Sequence, residues 1–149
     1  MPKEKQMNDT LDLKEQLMNS ASMLVVLWVC HLIGDWLFQN DWIADRKTKM
    51  PWVRALHVTI YCVPFVVLFA VLGYSAWALA IAWIWITHFW IDSYKPLMWF
   101  RRLGGDKLAF DKEQFRDAFK TPRGFFVYVT YDQIFHLITL LPVAWGLAR

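Results

Sequence analysis

Four long apolar runs dominate this chain and leave it few ways to fold. They cover about 20–40, 52–74, 76–100 and 125–147. Each is close to the ~20 residues that a helix needs to cross a bilayer core. The expected fold is therefore all-α, an integral membrane bundle of four transmembrane helices over 20–149, preceded by a polar N-terminal extension over 1–19. Composition agrees: 57% of the residues are hydrophobic and ten are Trp, against an average apolar usage of about 45–50% in soluble domains. The net charge of +3 gives no reason to expect nucleic-acid binding. Cys30 and Cys62 both fall in apolar runs without a C-x-x-C pairing and read as buried, inert thiols. The polar first 19 residues and the long first run do not fit a cleavable signal peptide.

The charges instead read as topology signals. Arg46, Lys47, Lys49 and Arg54 surround the first connection, and eight Lys or Arg lie between Lys95 and Arg123. The turn at Gly73-Tyr74-Ser75 has none. The positive-inside rule then puts loops 41–51 and 101–124 in the cytosol of a bacterial inner membrane, with both termini outward. Trp42, Trp52 and Trp99 on one side and Trp77 and Trp145 on the other fit an aromatic belt. Within the long loop, Asp111 and Gln114 resemble a capping box. Phe115, Ala118 and Phe119 then line one face, which suggests a short amphipathic helix on the membrane surface.

All four histidines lie in the apolar runs, where ionisable groups are costly and rarely without a role. Three have an aspartate four residues away: His31 with Asp35, His88 with Asp92, and His136 with Asp132. A spacing of four puts two side chains on one helical face. In the first and third runs His precedes Asp; in the fourth, which runs the opposite way, Asp precedes His. The reversed order in sequence becomes the same order in space. At ~1.5 Å per residue, the aspartates lie roughly 7–12 Å from the cytosolic helix ends, the three paired histidines roughly 13–18 Å, and His57 roughly 8 Å. These seven residues thus form one layer in the inner half of the bundle.

Three aspartates in hydrocarbon approach roughly 10 kcal/mol of insertion cost if uncompensated. A divalent cation bound by imidazole and carboxylate would offset it, zinc first, with manganese or iron as alternatives. The competing explanations are a buried hydrogen-bond network that only glues the helices and a proton relay. Seven donors exceed the needs of one ion, so either two ions bind or some aspartates orient histidines. Gln133, Thr87, Tyr131 and Tyr94 read as structural partners, and Gln133 need not face the layer.

The run His31-Leu-Ile-Gly-Asp35 with Gln39 and Asp41-Trp42, then His57, His88-Phe-Trp-Ile-Asp92 and Asp132-Gln133-Ile-Phe-His136, resembles domain-of-unknown-function family 3307. These are small multi-span proteins of bacteria and their phages. The resemblance covers about residues 24–140 and implies that His31, Asp35, His57, His88, Asp92, Asp132 and His136 are the site residues. More loosely the chain is similar to membrane-bound metal-dependent hydrolases, which implies hydrolysis by a metal-activated water. The leading expectation is such a hydrolase. All seven residues are candidate metal ligands, with His31, His88 and His136 preferred and Asp35, Asp92 and Asp132 as ligands or orienters; His57 and Asp132 are also acid–base candidates, and a lipid or its head group is the candidate substrate. The alternatives are an ion or proton transport protein and a non-enzymatic phage or defence factor with a structural metal or polar network. Beyond the lipid bilayer, no partner or oligomeric state is legible.

Overall fold

The polar N-terminus and the first apolar run form one continuous helix, α1 (Pro2–Leu32). The structure, a computed structural model, describes residues 2–103, 117 and 120–148, with side chains described for 15–100, 117 and 120–148. No strand occurs among the described residues, as the apolar periodicity predicts. The surface helix expected over 111–119 lies outside the described residues, apart from residue 117.

After α1 the chain makes one π turn, Ile33–Leu37. Gly34 sits in that turn for a steric reason: a Cβ there would lie 2.6 Å from the Tyr61 carbonyl oxygen. The short helix α2 (Asp41–Arg46) follows, capped by the Asn40 side chain, which accepts a hydrogen bond from the Ile43 N–H at 2.9 Å. The second apolar run is two helices, α3 (Pro51–Tyr61) and α4 (Val63–Leu72). Pro64, near the start of α4, has no N–H to offer the carbonyl of Ile60, and the helix resets at Cys62. Gly73 ends α4 at φ 61°, a left-handed conformation that glycine adopts without penalty. It turns the chain into α5 (Trp77–Ile91).

Here the structure corrects the count of four spans. Glu15–Leu37, Pro51–Leu72 and Pro122–Leu147 are long and apolar enough to cross a membrane, whereas α5 has only 15 residues. That is about 22 Å at 1.5 Å per residue, short of the ~30 Å hydrocarbon core. The third run breaks because Tyr94 takes φ 55° and Pro96 has no N–H for the carbonyl of Asp92. A separate helix, α6 (Lys95–Leu103), then begins. The last helix, α7 (Pro122–Leu147), starts at Thr121, whose hydroxyl accepts from the Gly124 N–H at 3.1 Å. It runs through Pro142 without interruption.

Helix α7 packs along α1 and α5, α5 packs against α3 and α4, and α1 also meets α4. The distribution of side chains is inverted relative to a water-soluble bundle. Val71, Leu79 and Phe126 are more than 70% exposed, while all four histidines are at most 1% exposed. Apolar exteriors around buried ionisable groups are the pattern expected of helices that insert in a membrane.

Candidate metal centre

Each packed helix turns a stripe at spacing four toward the interior: Leu27, His31 and Asp35; Val53, His57 and Tyr61; Ala80, Ile84, His88 and Asp92; Tyr128, Asp132, His136, Leu140 and Ala144. All are buried except Asp132, whose side chain is 20% exposed. One end of every stripe enters a large apolar cluster containing Leu27, Tyr61, Phe65, Ile84 and Leu140. The polar ends converge beside it.

The convergence is tight. His57 Nε2 lies 3.0 Å from Asp35 Oδ1, 3.3 Å from Asp92 Oδ2 and 3.2 Å from His88 Nε2. His88 Nε2 lies 3.4 Å from Asp92 Oδ2 and 3.8 Å from Asp35 Oδ1. Ligand atoms of Asp35, His57, His88 and Asp92 are close enough together to hold a metal ion. Four tetrahedral ligands at ~2.0–2.1 Å from zinc stand about 3.3–3.4 Å apart, near the observed spacings. Hydrogen bonding alone does not account for the cluster, because a neutral imidazole nitrogen donates one bond or accepts one. His57 Nε2 faces two carboxylates, a second imidazole nitrogen and an ammonium. The Nδ1 atoms of His57 and His88 are buried and without hydrogen-bond partners.

That ammonium belongs to Lys47, read from the sequence as a loop charge that signals topology. The structure turns it inward. It is only 9% exposed, and its Nζ lies 3.2 Å from Asp35 Oδ1, 3.1 Å from Asp92 Oδ2 and 3.3 Å from His57 Nε2. Burial works against its charge, but the carboxylates of Asp92 and Asp35 outweigh burial and hold its pKa above the ordinary lysine range. Arg54, also read as a loop charge, is buried too. Its Nε donates to the Lys47 carbonyl at 2.9 Å and its Nη2 to the Thr48 carbonyl at 3.1 Å. The guanidinium carbon lies 5.1 Å from the Phe89 ring centroid. Arg54 therefore fixes the backbone from which Lys47 reaches the site.

A second group that could hold an ion, Asp92 with Asp132 and His136, adjoins the first and shares Asp92. His136 Nδ1 donates to the carbonyl of Asp132 at 2.9 Å, which leaves Nε2 as the lone-pair nitrogen; it is buried without a hydrogen-bond partner. His31 belongs to neither group. Its Nε2 lies 3.1 Å from Gln133 Oε1, which only accepts, so Nε2 carries the proton. Its Nδ1 then accepts from the Tyr61 hydroxyl at 3.1 Å. Gln133 thus does face the layer. Tyr61, which also stacks on His88 at 3.7 Å between ring centroids, was missed from the sequence, although it stands four residues after His57. Lys47 gave no comparable signal, since nothing local distinguishes it from Lys49.

The chain belongs to the family described as a protein of unknown function (DUF3307), which matches residues 23–148. That stretch contains both metal-capable groups, Lys47 and Arg54. No curated protein and no solved structure matches the chain.

Proposed function

We propose that this member of the DUF3307 family is an integral-membrane metal-dependent hydrolase whose ion is held by Asp35, His57, His88 and Asp92. The convergence of two imidazole Nε2 atoms and two carboxylate oxygens on one point carries this reading, since a hydrogen-bond network would separate donors from one another. Two nitrogen and two oxygen donors suit zinc first, and manganese or iron next. When bound, such an ion supplies a Lewis acid and lowers the pKa of a coordinated water toward ~7. Asp132 and His136 are adjacent through Asp92. The partial exposure of Asp132 suits it to accept or deliver a proton at the open side. In this reading His57 is a ligand rather than a general acid, and His31 orients Tyr61 and Gln133.

The flanking apolar helices favour a lipid or its head group as substrate. The basic residues of the first connection, among them the exposed Lys49, favour a cytosolic opening in a bacterial inner membrane. Transport through the bundle has less support, because the cluster around Leu27, Phe65, Ile84 and Leu140 closes the layer on one side. A purely structural ion-pair network is the stronger rival, favoured by the Lys47 ammonium between Asp35 and Asp92.

Detergent-purified protein, handled without chelator and reloaded with zinc, manganese or iron, tests the reading through elemental analysis beside His88→Ala. Hydrolysis of phosphoester and carboxylester lipids in mixed micelles then separates an enzyme from a structural site. Metal below about one-tenth of an equivalent after reloading, where a structural or catalytic site retains its ion, would sink the proposal.

A further inference from the structure

We propose that Lys47 is the resident cation of this site and exchanges with the metal ion, its ammonium leaving as the ion enters. The inference rests on the metal-binding reading above and adds a device that controls it. Lys47 Nζ stands within 3.1–3.3 Å of three of the four candidate ligand atoms, Asp35 Oδ1, Asp92 Oδ2 and His57 Nε2. A divalent ion bonded to those same atoms would face the ammonium across a few ångströms in a buried layer, where like charges repel strongly. The two cations compete for the same pair of carboxylates.

The architecture allows such an exchange with little movement. The Lys47 backbone is anchored from α3 by Arg54, which also holds the Thr48 carbonyl. The backbone can stay in place while the flexible four-carbon stem swings out, and Lys49, two residues on, is already exposed. The exchange also selects among ions. An ammonium satisfies carboxylates much as a hard cation does, so magnesium gains little over it. A zinc-class ion gains direct bonds to His57 Nε2 and His88 Nε2, which the ammonium cannot match with a single donated hydrogen bond.

Reductive methylation of the full-length protein in detergent, read by mass spectrometry, tests this directly, with Lys49 as the internal reference. In chelator, Lys47 reacts at least about tenfold more slowly than Lys49, as a protected group does. Zinc brings Lys47 close to the Lys49 rate, and magnesium leaves it protected. Independently, Lys47→Met binds zinc at least about tenfold tighter than wild type, with the tryptophan fluorescence of the folded chain as the check on folding. Zinc bound by the variant but not by wild type shows that the ammonium holds the site against the ion, and overturns the exchange. Zinc bound with Lys47 still protected, or bound no tighter by Lys47→Met, overturns the exchange and leaves the metal site standing. Zinc bound by neither protein removes both.

Discussion

The Nε2 atoms of His57 and His88 face each other at 3.2 Å. Only one of the two can donate to the other, and each also lies within 3.4 Å of Asp92 Oδ2. Two nitrogens aimed at one point make these rings the centre of the site. Replacing either by Ala should therefore lower zinc affinity by more than the roughly 10–100-fold typical of an outer partner. Equilibrium dialysis against zinc checks this; unchanged affinity in both variants would show that the rings bind no ion.

His31 provides the contrast. Both of its nitrogens already have protein partners, Tyr61 and Gln133. Tyr61→Phe removes the hydroxyl that donates to His31 Nδ1 and leaves a buried acceptor unpaired, at a cost of about 1–3 kcal/mol. Denaturant unfolding in detergent should show that loss, while zinc stoichiometry stays at the wild-type value. A drop in stoichiometry with no loss of stability would move His31 into the ligand set.

Gly34 ties the fold to the site. A Cβ at this position would meet the Tyr61 carbonyl oxygen at 2.6 Å and the Tyr61 ring at 2.8 Å. Gly34→Ala must push the π turn away from α3, and overpacking of this kind costs about 1–3 kcal/mol. Asp35 is the next residue, so the same displacement should weaken zinc binding as well. The expected result is a lower unfolding midpoint and reduced zinc affinity together; stability lost with affinity intact would mean that Asp35 adjusts independently of the turn.

The stripes at spacing four were legible because helical geometry is local. The pairing of His88 with Asp92, and of Asp132 with His136 in reversed order, needed only the 3.6-residue period and antiparallel helices. The break in the third run was less legible, since apolar content continues past Tyr94 while the left-handed turn and Pro96 end the helix. The inward placement of Lys47 and Arg54 was not legible for a different reason. Their positions in a charged connection are indistinguishable from those of Arg46 and Lys49. What turns Lys47 inward is the attraction of two carboxylates more than ten residues away in sequence, a tertiary effect with no local pattern. The division of the histidines into candidate ligands and structural partners likewise depends on Gln133 and Tyr61 arriving from other helices.

Asp132 separates binding from chemistry. It adjoins the first group only through Asp92, and its side chain keeps 20% of its surface open while Asp92 keeps 3%. Asp92→Asn removes the charge of the residue common to both groups and should abolish zinc binding. Asp132→Asn preserves size and keeps an oxygen beside His136, so the ion held by Asp35, His57, His88 and Asp92 should remain. If Asp132 moves the proton in hydrolysis, kcat should fall by about 10²–10⁴-fold with zinc content unchanged. The measurement is a paired one, zinc per chain and turnover on the best lipid ester found in the screen. Full turnover in Asp132→Asn would assign the proton transfer to another group, and loss of zinc in parallel with turnover would make Asp132 a ligand.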